Sequence, residues 1–546
     1  MHRSLKIPEI VALICFHILC PHELDSRLRS RASLATLAAV ARTCTAFSNP
    51  ALNLLWMSQE TVMHLLQCMP EDIWSQESAS DEDEEEEEGM GLARAILPSD
   101  WDRPLVYARR VKIFHFQEPY GLSWSPKFFE ELRLSFPGEY LFPNLETLEW
   151  ESHKGSLLPH VRMFLGPRLK HLTVAVFTSI AQLSLLPGLA KQCPALVDVQ
   201  IEFSDDLERQ CQSSLSLFVR GLNCVETLSV PCLDRAALEH VGRLPTFTSL
   251  KLHHQLPLPS SPALPSITNQ ALFTSLESLA VTGPDIGETL AFLAHSPIEA
   301  IDGTFPLLTT ATTIATCYTT LVNTCSHAPL SSLSLRRGLI GQTNPTINTL
   351  PTAAHIETYA IRGPQLRPLF LFTDLTHVNL GTPVGFALDD IAVTEMARAW
   401  PHLISLHLSA TEYAHVPPRV TLDGLLSFAK YCPFLISLDL PLDASTVPDW
   451  QEQRAQNRRV RQTRFRTLNV RRSPVVSPLA VSACLSSMFP NLRSVRCCRP
   501  DPDAVPGSRA HETTILYERW TTVEAALPVL RTVRAEERHW AQRGSR

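Results

Sequence analysis

The 546-residue chain is 45% hydrophobic and 19% charged, which supplies ample apolar material for burial and excludes wholesale disorder. That length suits several globular domains or one elongated repeat array, not a single ordinary core. Formal net charge is -7, yet the acids from Asp81 to Glu88 form one run, so the remainder is near neutral and neither nucleic acid nor an anionic membrane is called for.

At the start, Arg3 and Lys6 precede an apolar stretch that Pro8, Glu9 and His17 interrupt, and no small-x-small cleavage site follows. No apolar run reaches the roughly 18 to 20 residues that span a bilayer. Neither a secretory leader nor a membrane span is expected. Pro8 to Leu19 reads as a helix, with Pro8 in the first turn and Ile10, Val11, Ile14 and Ile18 on one face. A polar loop, 22–31, leads to Ser33, a candidate N-cap for the helical pattern from Leu34 to Cys44. A third helical piece runs from Asn49 to Trp56. Three such helices in about 55 residues are marginal alone. A module of this kind gains stability by docking its apolar residues onto a partner.

Residues 61–104 read as a linker. Its acidic run, 77–90, holds the sequence SASDEDEEEEE, whose like charges repel and stay solvated.

A short pattern then recurs: an apolar residue, two variable ones, an apolar residue, one variable and another apolar. Leu145/Leu148/Trp150 and Leu169/Leu172/Val174 are clear copies, and Ile356/Tyr359/Ile361 is a weaker one. The central residues are Phe114, Leu148, Leu172, Val199, Leu228, Leu250, Leu279, Ile301, Leu333, Tyr359, Val378, Leu406, Leu438, Leu468 and Val495. Their mean spacing is about 27 residues, within the 20 to 29 of a leucine-rich period. The last two apolar residues of each triplet share one face of a short strand. Helix-like segments lie between, at Ser179 to Gln192, Glu288 to His295, Leu388 to Ala399, Asp423 to Tyr431 and Leu479 to Met488. Several meet a proline before the next strand: Pro194, Pro401, Pro433 and Pro490. Proline ends a helix because it lacks the N–H and clashes with the preceding turn. Each unit is too small to bury its own apolar side, and stacked units bury a continuous core. Several separate α/β domains would carry such triplets too; the number of copies and the recurring proline favour the stack.

The expected class is therefore α/β: a right-handed leucine-rich-repeat solenoid over 105–500, strands parallel on the concave face and helices on the convex face. It follows a helical module, 1–60. A C-terminal helical cap, 501–546, with Trp520, Val523 and Leu527, would cover the last repeat and fray from Arg534. Arg454, Arg458, Arg459, Arg461, Arg464 and Arg466, with Arg471 and Arg472 beyond, would grip an acidic or phosphorylated segment if they share a face. A nuclear-import or nucleic-acid patch is a second reading. A solvated helix whose arginine stems cover apolar surface is a third.

The N-terminal residues carry a resemblance. Ile7-Pro8-Glu9-Ile10, then Ser33-Leu34, Leu37-Ala38-Ala39-Val40-Ala41-Arg42, then Pro50-Ala51-Leu52 and Leu55-Trp56, resemble the F-box, and the whole chain is similar to F-box and leucine-rich-repeat proteins. It departs from the family at Ala41, commonly Cys, and at Cys44, usually Trp. The resemblance implies docking onto the Skp-type adaptor and cullin complex of a cullin–RING ubiquitin ligase. Pro8, Glu9, Ile10, Ile14, Leu34, Leu37, Val40, Arg42, Leu52 and Trp56 would make that contact, and the repeats would hold a protein substrate. Without the ligase role, the repeats would be an interaction scaffold and the helices only a solenoid cap.

No phosphate-loop, dinucleotide, HExxH or G-x-S-x-G spacing is present, so an enzyme is not expected, nor any cofactor or metal. The 14 Cys include no CxxC pair and read as reduced thiols packed as small hydrophobes, as in a cytoplasmic or nuclear protein.

Overall fold

The computed structural model describes residues 7–19, 30–76, 90–117, 126–151, 155–177, 179–204, 207, 210–253, 272–283, 286–290, 296–306, 309–325, 329–338, 356–410, 416–448, 460–499 and 509–544. Two compact units divide at Phe247/Thr248. In the first, strands Ser58–Gln59, Ile113–Gln117, Thr147–Glu151, His171–Phe177, Asp198–Phe203 and Thr227–Val230 pair in parallel in chain order. Phe114, Leu148, Leu172, Val199 and Leu228 stand in register across it. Among the described residues, nine parallel strands form the repeat sheet of the second unit: Ser249–Leu252, Ser278–Thr282, Ala300–Phe305, Ser332–Arg337, His377–Gly381, Ser405–Ser409, Ser437–Asp439, Thr467–Arg471 and Ser494–Cys497. Leu250, Leu279, Ile301, Leu333, Val378, Leu406, Leu438, Leu468 and Val495 align there in the same way. All these residues are buried. One continuous apolar row per unit is what joins the repeats, since each repeat shares its core only with its neighbours.

The prolines act as their chemistry requires. Helices Leu186–Gln192, Asp390–Ala399, Leu422–Tyr431 and Pro478–Met488 each end two residues before a Pro. The intervening Cys193, Trp400, Cys432 or Phe489 takes ψ near 70°, as a residue before proline must leave the helical region. Each is buried as a plug between layers. Burial pushes the Cys193 and Cys432 thiols up to about 12, so they stay protonated and inert.

Four expectations are corrected. Tyr359 is not on a repeat strand: Ile356–Tyr359 is a helical turn, and Ser332–Arg337 pairs directly with His377–Gly381, leaving no slot between them. Ile361–Arg362 instead pairs with Phe386–Ala387 in a separate two-stranded sheet. Ser33 does not cap its helix; Ser30 does, accepting from the Ser33 N–H at 3.1 Å. The stretch from Arg534 is helical as far as Gly544: helix Arg509–Gly544 runs through it, and Arg534 donates to the Ala483 carbonyl at 3.0 Å. Upstream in that helix Trp520, Val523 and Leu527 are buried, and the Trp520 indole donates to Ser473 O at 2.8 Å.

Finally, 61–76 and 92–104 are folded rather than a linker; the acidic run 77–90 lies outside the described residues except for Met90. Val62, Leu65, Leu66, Ile73 and Trp101 are buried, and Trp74–Gln76 pairs antiparallel with Met90–Leu92. Arg94 clamps this region, donating to Asp72 and to Asp100, each at 2.8 Å. Those bonds hold both carboxyls below the usual carboxylate range; the Leu97 N–H also assists at Asp100. A depressed folded-state value gives stability that is present above the unfolded value, near pH ~4, and is lost as pH falls through the folded one. Fluorescence of Trp74 and Trp101 followed during acidification should therefore change below about pH 4. Arg94→Ala should abolish that acid step; an unchanged titration would show that the clamp contributes nothing.

Candidate functional site

The N-terminal module comprises α1 (Pro8–Ile18), α2 (Arg31–Ala41) and α3 (Thr45–Met57). Its core is small: Val11, Cys15, Leu19, Leu37 and Ala51, fringed by Ile18, Val40, Ala41, Phe47, Leu54 and Leu55. Along α1 the buried positions are therefore i, i+4 and i+8 from Val11, rotated from the expected face. Ile14 points outward with Ile7 and Leu13, and Leu13 is 59% exposed. Pro8 and Glu9 are exposed and Ile10 is half-buried. Leu34, Val40 and Leu52 are half-buried, and Arg42 is exposed. Leu37 was expected on the docking surface but is fully buried, so it holds the module together and is not available to a partner. The sequence reading missed Leu13 because it took Ile10, Val11, Ile14 and Ile18 as one apolar face, of which Val11 turns inward and Ile14 outward.

One side of α3 is already occupied. Trp56 stacks on Tyr107 with ring centroids 4.6 Å apart. The Arg110 guanidinium donates to Asn53 Oδ1 and to Asn49 Oδ1, the second at 2.9 Å. The Lys112 N–H donates to Met57 O at 2.8 Å, and Ser58–Gln59 continues directly into the sheet. The module is thus fixed to the first repeat strand through α3, while α1 presents exposed aliphatic side chains. Exposed apolar residues that cluster on one helix mark a docking surface more often than scattered ones do.

Outward residues of the strands differ in charge between the units. In the first, Glu149, Glu151, Asp198 and Glu202 make the outward face acidic. His115 lies 2.8 Å from Glu149 and His171 lies 3.8 Å from Asp198, each across a strand pair. In the second, one outward row is mostly small hydroxyl residues: Ser249, Ser278, Ser332, Ser405, Ser437, Thr467 and Ser494, with Ala300 and His377. The next row includes Asp302, held by Arg336 at 2.7 Å, and Asp439, held by Arg471.

Of the expected arginine cluster, Arg454, Arg458 and Arg459 lie outside the described residues. Arg461, Arg464 and Arg466 are exposed. Arg464 sits over the Phe434 ring at 4.9 Å, so its guanidinium covers apolar surface. Arg471 is bound to Asp439 and does not join them.

Among the described residues no group of three or more His, Cys, Asp or Glu is placed to hold a metal, and no helix is long and apolar enough to cross a membrane. No family model matches the chain, and no curated protein matches it. Among solved structures the chain is similar to the crystal structure of the Rad7 and Elc1 complex in yeast. There the identity is 15% and the TM-score 0.32, over 73% of this chain and 79% of that one. A likeness that distant carries no argument about activity, so the functional reading rests on the resemblance of the N-terminal residues and on the surfaces described above.

Proposed function

We propose that the chain is a non-catalytic substrate receptor: the module docks through α1 onto a Skp-type adaptor of a cullin–RING ubiquitin ligase, and the repeat strands hold a protein substrate. Holding the substrate beside the ligase raises its effective concentration there, which is the whole of the receptor's contribution. The observation that carries the reading is the exposed Leu13 and Ile14 on α1, with exposed Ile7 at its N-cap, while other residues of the helix pack into the module core. It coincides with the segment that resembles the F-box. A second reading, a scaffold whose helices only cap the repeats, is favoured by the α3 contacts to Tyr107 and Arg110.

Co-purification separates the two. Full-length protein should retain the purified Skp-type adaptor. Leu13→Asp with Ile14→Asp should reduce retention at least about tenfold, since a charge must then be desolvated in the interface. Both side chains are exposed, so the melting temperature should stay the same. Wild-type protein that fails to retain the adaptor leaves only the scaffold reading.

A further inference from the structure

We propose that Cys211 and Cys232 form a redox clasp: a hydroperoxide oxidises them to a reversible disulfide that joins two consecutive repeats of the first unit. Both side chains are fully buried, and their sulfurs lie 4.0 Å apart, close to van der Waals contact. Cys211 is the N-cap of helix Gln212–Val219. Cys232 follows strand Thr227–Val230 and precedes Asp234, the N-cap of helix Arg235–Gly242. Each cysteine thus stands just ahead of the helix of its own repeat, so a bond between them ties one repeat to the next.

Neighbouring bonds hold the two sulfurs face to face. One residue on, Gln212 Nε2 donates to the Leu233 carbonyl at 3.1 Å. The Asp234 N–H donates to Ser216 Oγ at 2.9 Å, and strand Asp198–Phe203 pairs in parallel with Thr227–Val230. These bonds run between the same two repeats and oppose any slide that would part the thiols. A disulfide needs a sulfur separation of about 2.05 Å, so each sulfur has to move only about 1 Å, a displacement of the size that side-chain torsions supply. Cys432 shows the contrasting case: its sulfur is turned to the Ala397 and Trp400 carbonyls, at 3.4 and 3.5 Å, as a thiol that only packs can be.

The chemistry closes with one equivalent of hydrogen peroxide. One sulfur, as its thiolate, attacks a peroxide oxygen; the S–O bond forms, the O–O bond breaks, and hydroxide leaves and takes up the thiol's proton as water. The second sulfur then attacks the sulfenic sulfur; the S–S bond forms, the S–O bond breaks, and the second thiol proton leaves with the hydroxide as another water. Two thiols and one peroxide become one disulfide and two waters. Peroxide is little larger than water and reaches the buried pair during local opening. The reduced pair is the state that the structure shows, and a small thiol restores it by exchange. Closing a loop between residues 21 apart removes freedom mainly from the opened state, so oxidation strengthens the contact between these two repeats. Asp198 and Glu202 lie on the strand that this contact supports, so the clasp stiffens that part of the outward face.

Peptide mapping tests it. Reduced full-length protein is exposed to hydrogen peroxide under native conditions, blocked with N-ethylmaleimide in denaturant and digested with trypsin without reduction. Cleavage after Arg209, Arg220 and Arg235 puts Cys211 on one peptide and Cys224 with Cys232 on the next. A linked pair, two hydrogens lighter than the sum of its parts, should appear, and dithiothreitol should release it. Cys224 is exposed, so Cys224→Ser should keep the link, whereas Cys232→Ala should abolish it. In the linked protein, hydrogen exchange across Gln212–Val219 and Thr227–Val230 should slow by about 30-fold or more, the lower range for closing a loop of this length. Helix Asp390–Ala399, many repeats away, should exchange as before. A link through Cys224, both thiols still open to alkylation after peroxide, sulfinic acid in place of the link, a link that forms only in denaturant, or unchanged exchange in the linked protein would each overturn the proposal. The measurement needs only this chain, so its result is independent of adaptor docking.

Discussion

Leu37→Asp should unfold the N-terminal module while leaving the repeats beyond the first strands intact. Leu37 is fully buried against Val11, Cys15, Leu19 and Ala51. A carboxylate there would have no partner, and burying an unpaired charge costs several kcal/mol or more. The module's core is too small to absorb that loss, and module stability falls in the range where one such change decides the outcome. Because stacked repeats contact mainly their neighbours, damage at one end should not spread far. Hydrogen exchange should therefore show protection lost across α1 to α3 and kept in Asp198–Phe203 and Thr227–Val230. Leu13→Asp is the control: an exposed site should shift stability by no more than about 0.5 kcal/mol. Equal protection in both variants would mean that the module's core contributes little. The pair also sharpens the docking test, since loss of adaptor binding by Leu37→Asp would report unfolding, whereas loss by Leu13→Asp and Ile14→Asp would report the surface.

Much of the sheet is legible in the sequence because its signal is local. A strand residue that must face a continuous core is apolar whatever its neighbours do, so the triplets at Leu148, Leu406 and Leu438 can be read one at a time. Ala300–Phe305 reads weakly because Gly303 stands where other strands carry a large apolar residue; the Leu335 side chain fills that space. Tyr359 misleads for the opposite reason. Its triplet has the right spacing, but a repeat strand needs two neighbours, and Ser332–Arg337 already pairs with His377–Gly381. Pairing is a property of the whole sheet and leaves no mark on the intervening segment. The two-residue strand Ser58–Gln59 is too short to carry any period at all.

The candidate sites were less legible, and the causes are specific. Which side of α1 faces inward depends on where α2 and α3 lie, so the face read from Ile10, Val11, Ile14 and Ile18 is rotated from the buried one, and Leu37 passes for a surface residue. The arginine-rich stretch shows the same: among its described members, Arg464 lies over Phe434 and Arg471 is taken up by Asp439, partners that sequence proximity does not announce.

Asp439→Ala is the second change expected to have a large effect, and it tests whether a strained residue on the strand face is held by charge. Asp439 is 3% exposed and lies on strand Ser437–Asp439. Its carboxylate accepts from Arg471 Nε at 2.9 and 3.0 Å, from Arg471 Nη2, and from Asn469 Nδ2 at 3.1 Å; His407 Nδ1 lies 4.0 Å away. Arg471 has φ +54, rare for a residue with a side chain, and follows a register shift between Asn469 and Arg471. The strain, about 1–3 kcal/mol, persists because the ion pair fixes the guanidinium. Removing the carboxylate loses the pair and the Asn469 bond together. Loss of one partner from a buried pair costs about 3–5 kcal/mol, and Arg471 is about one-third exposed, so the expected loss is nearer 2–4 kcal/mol. Arg471→Gly should also destabilise, because Asp439 would then be buried without its cation. The double variant should recover much of the loss, since neither an unpaired charge nor a strained side chain remains. Denaturant unfolding of the four proteins gives the coupling directly. Additive losses, or an Asp439→Ala loss below about 0.5 kcal/mol, would mean that the backbone holds Arg471 in its conformation without the carboxylate.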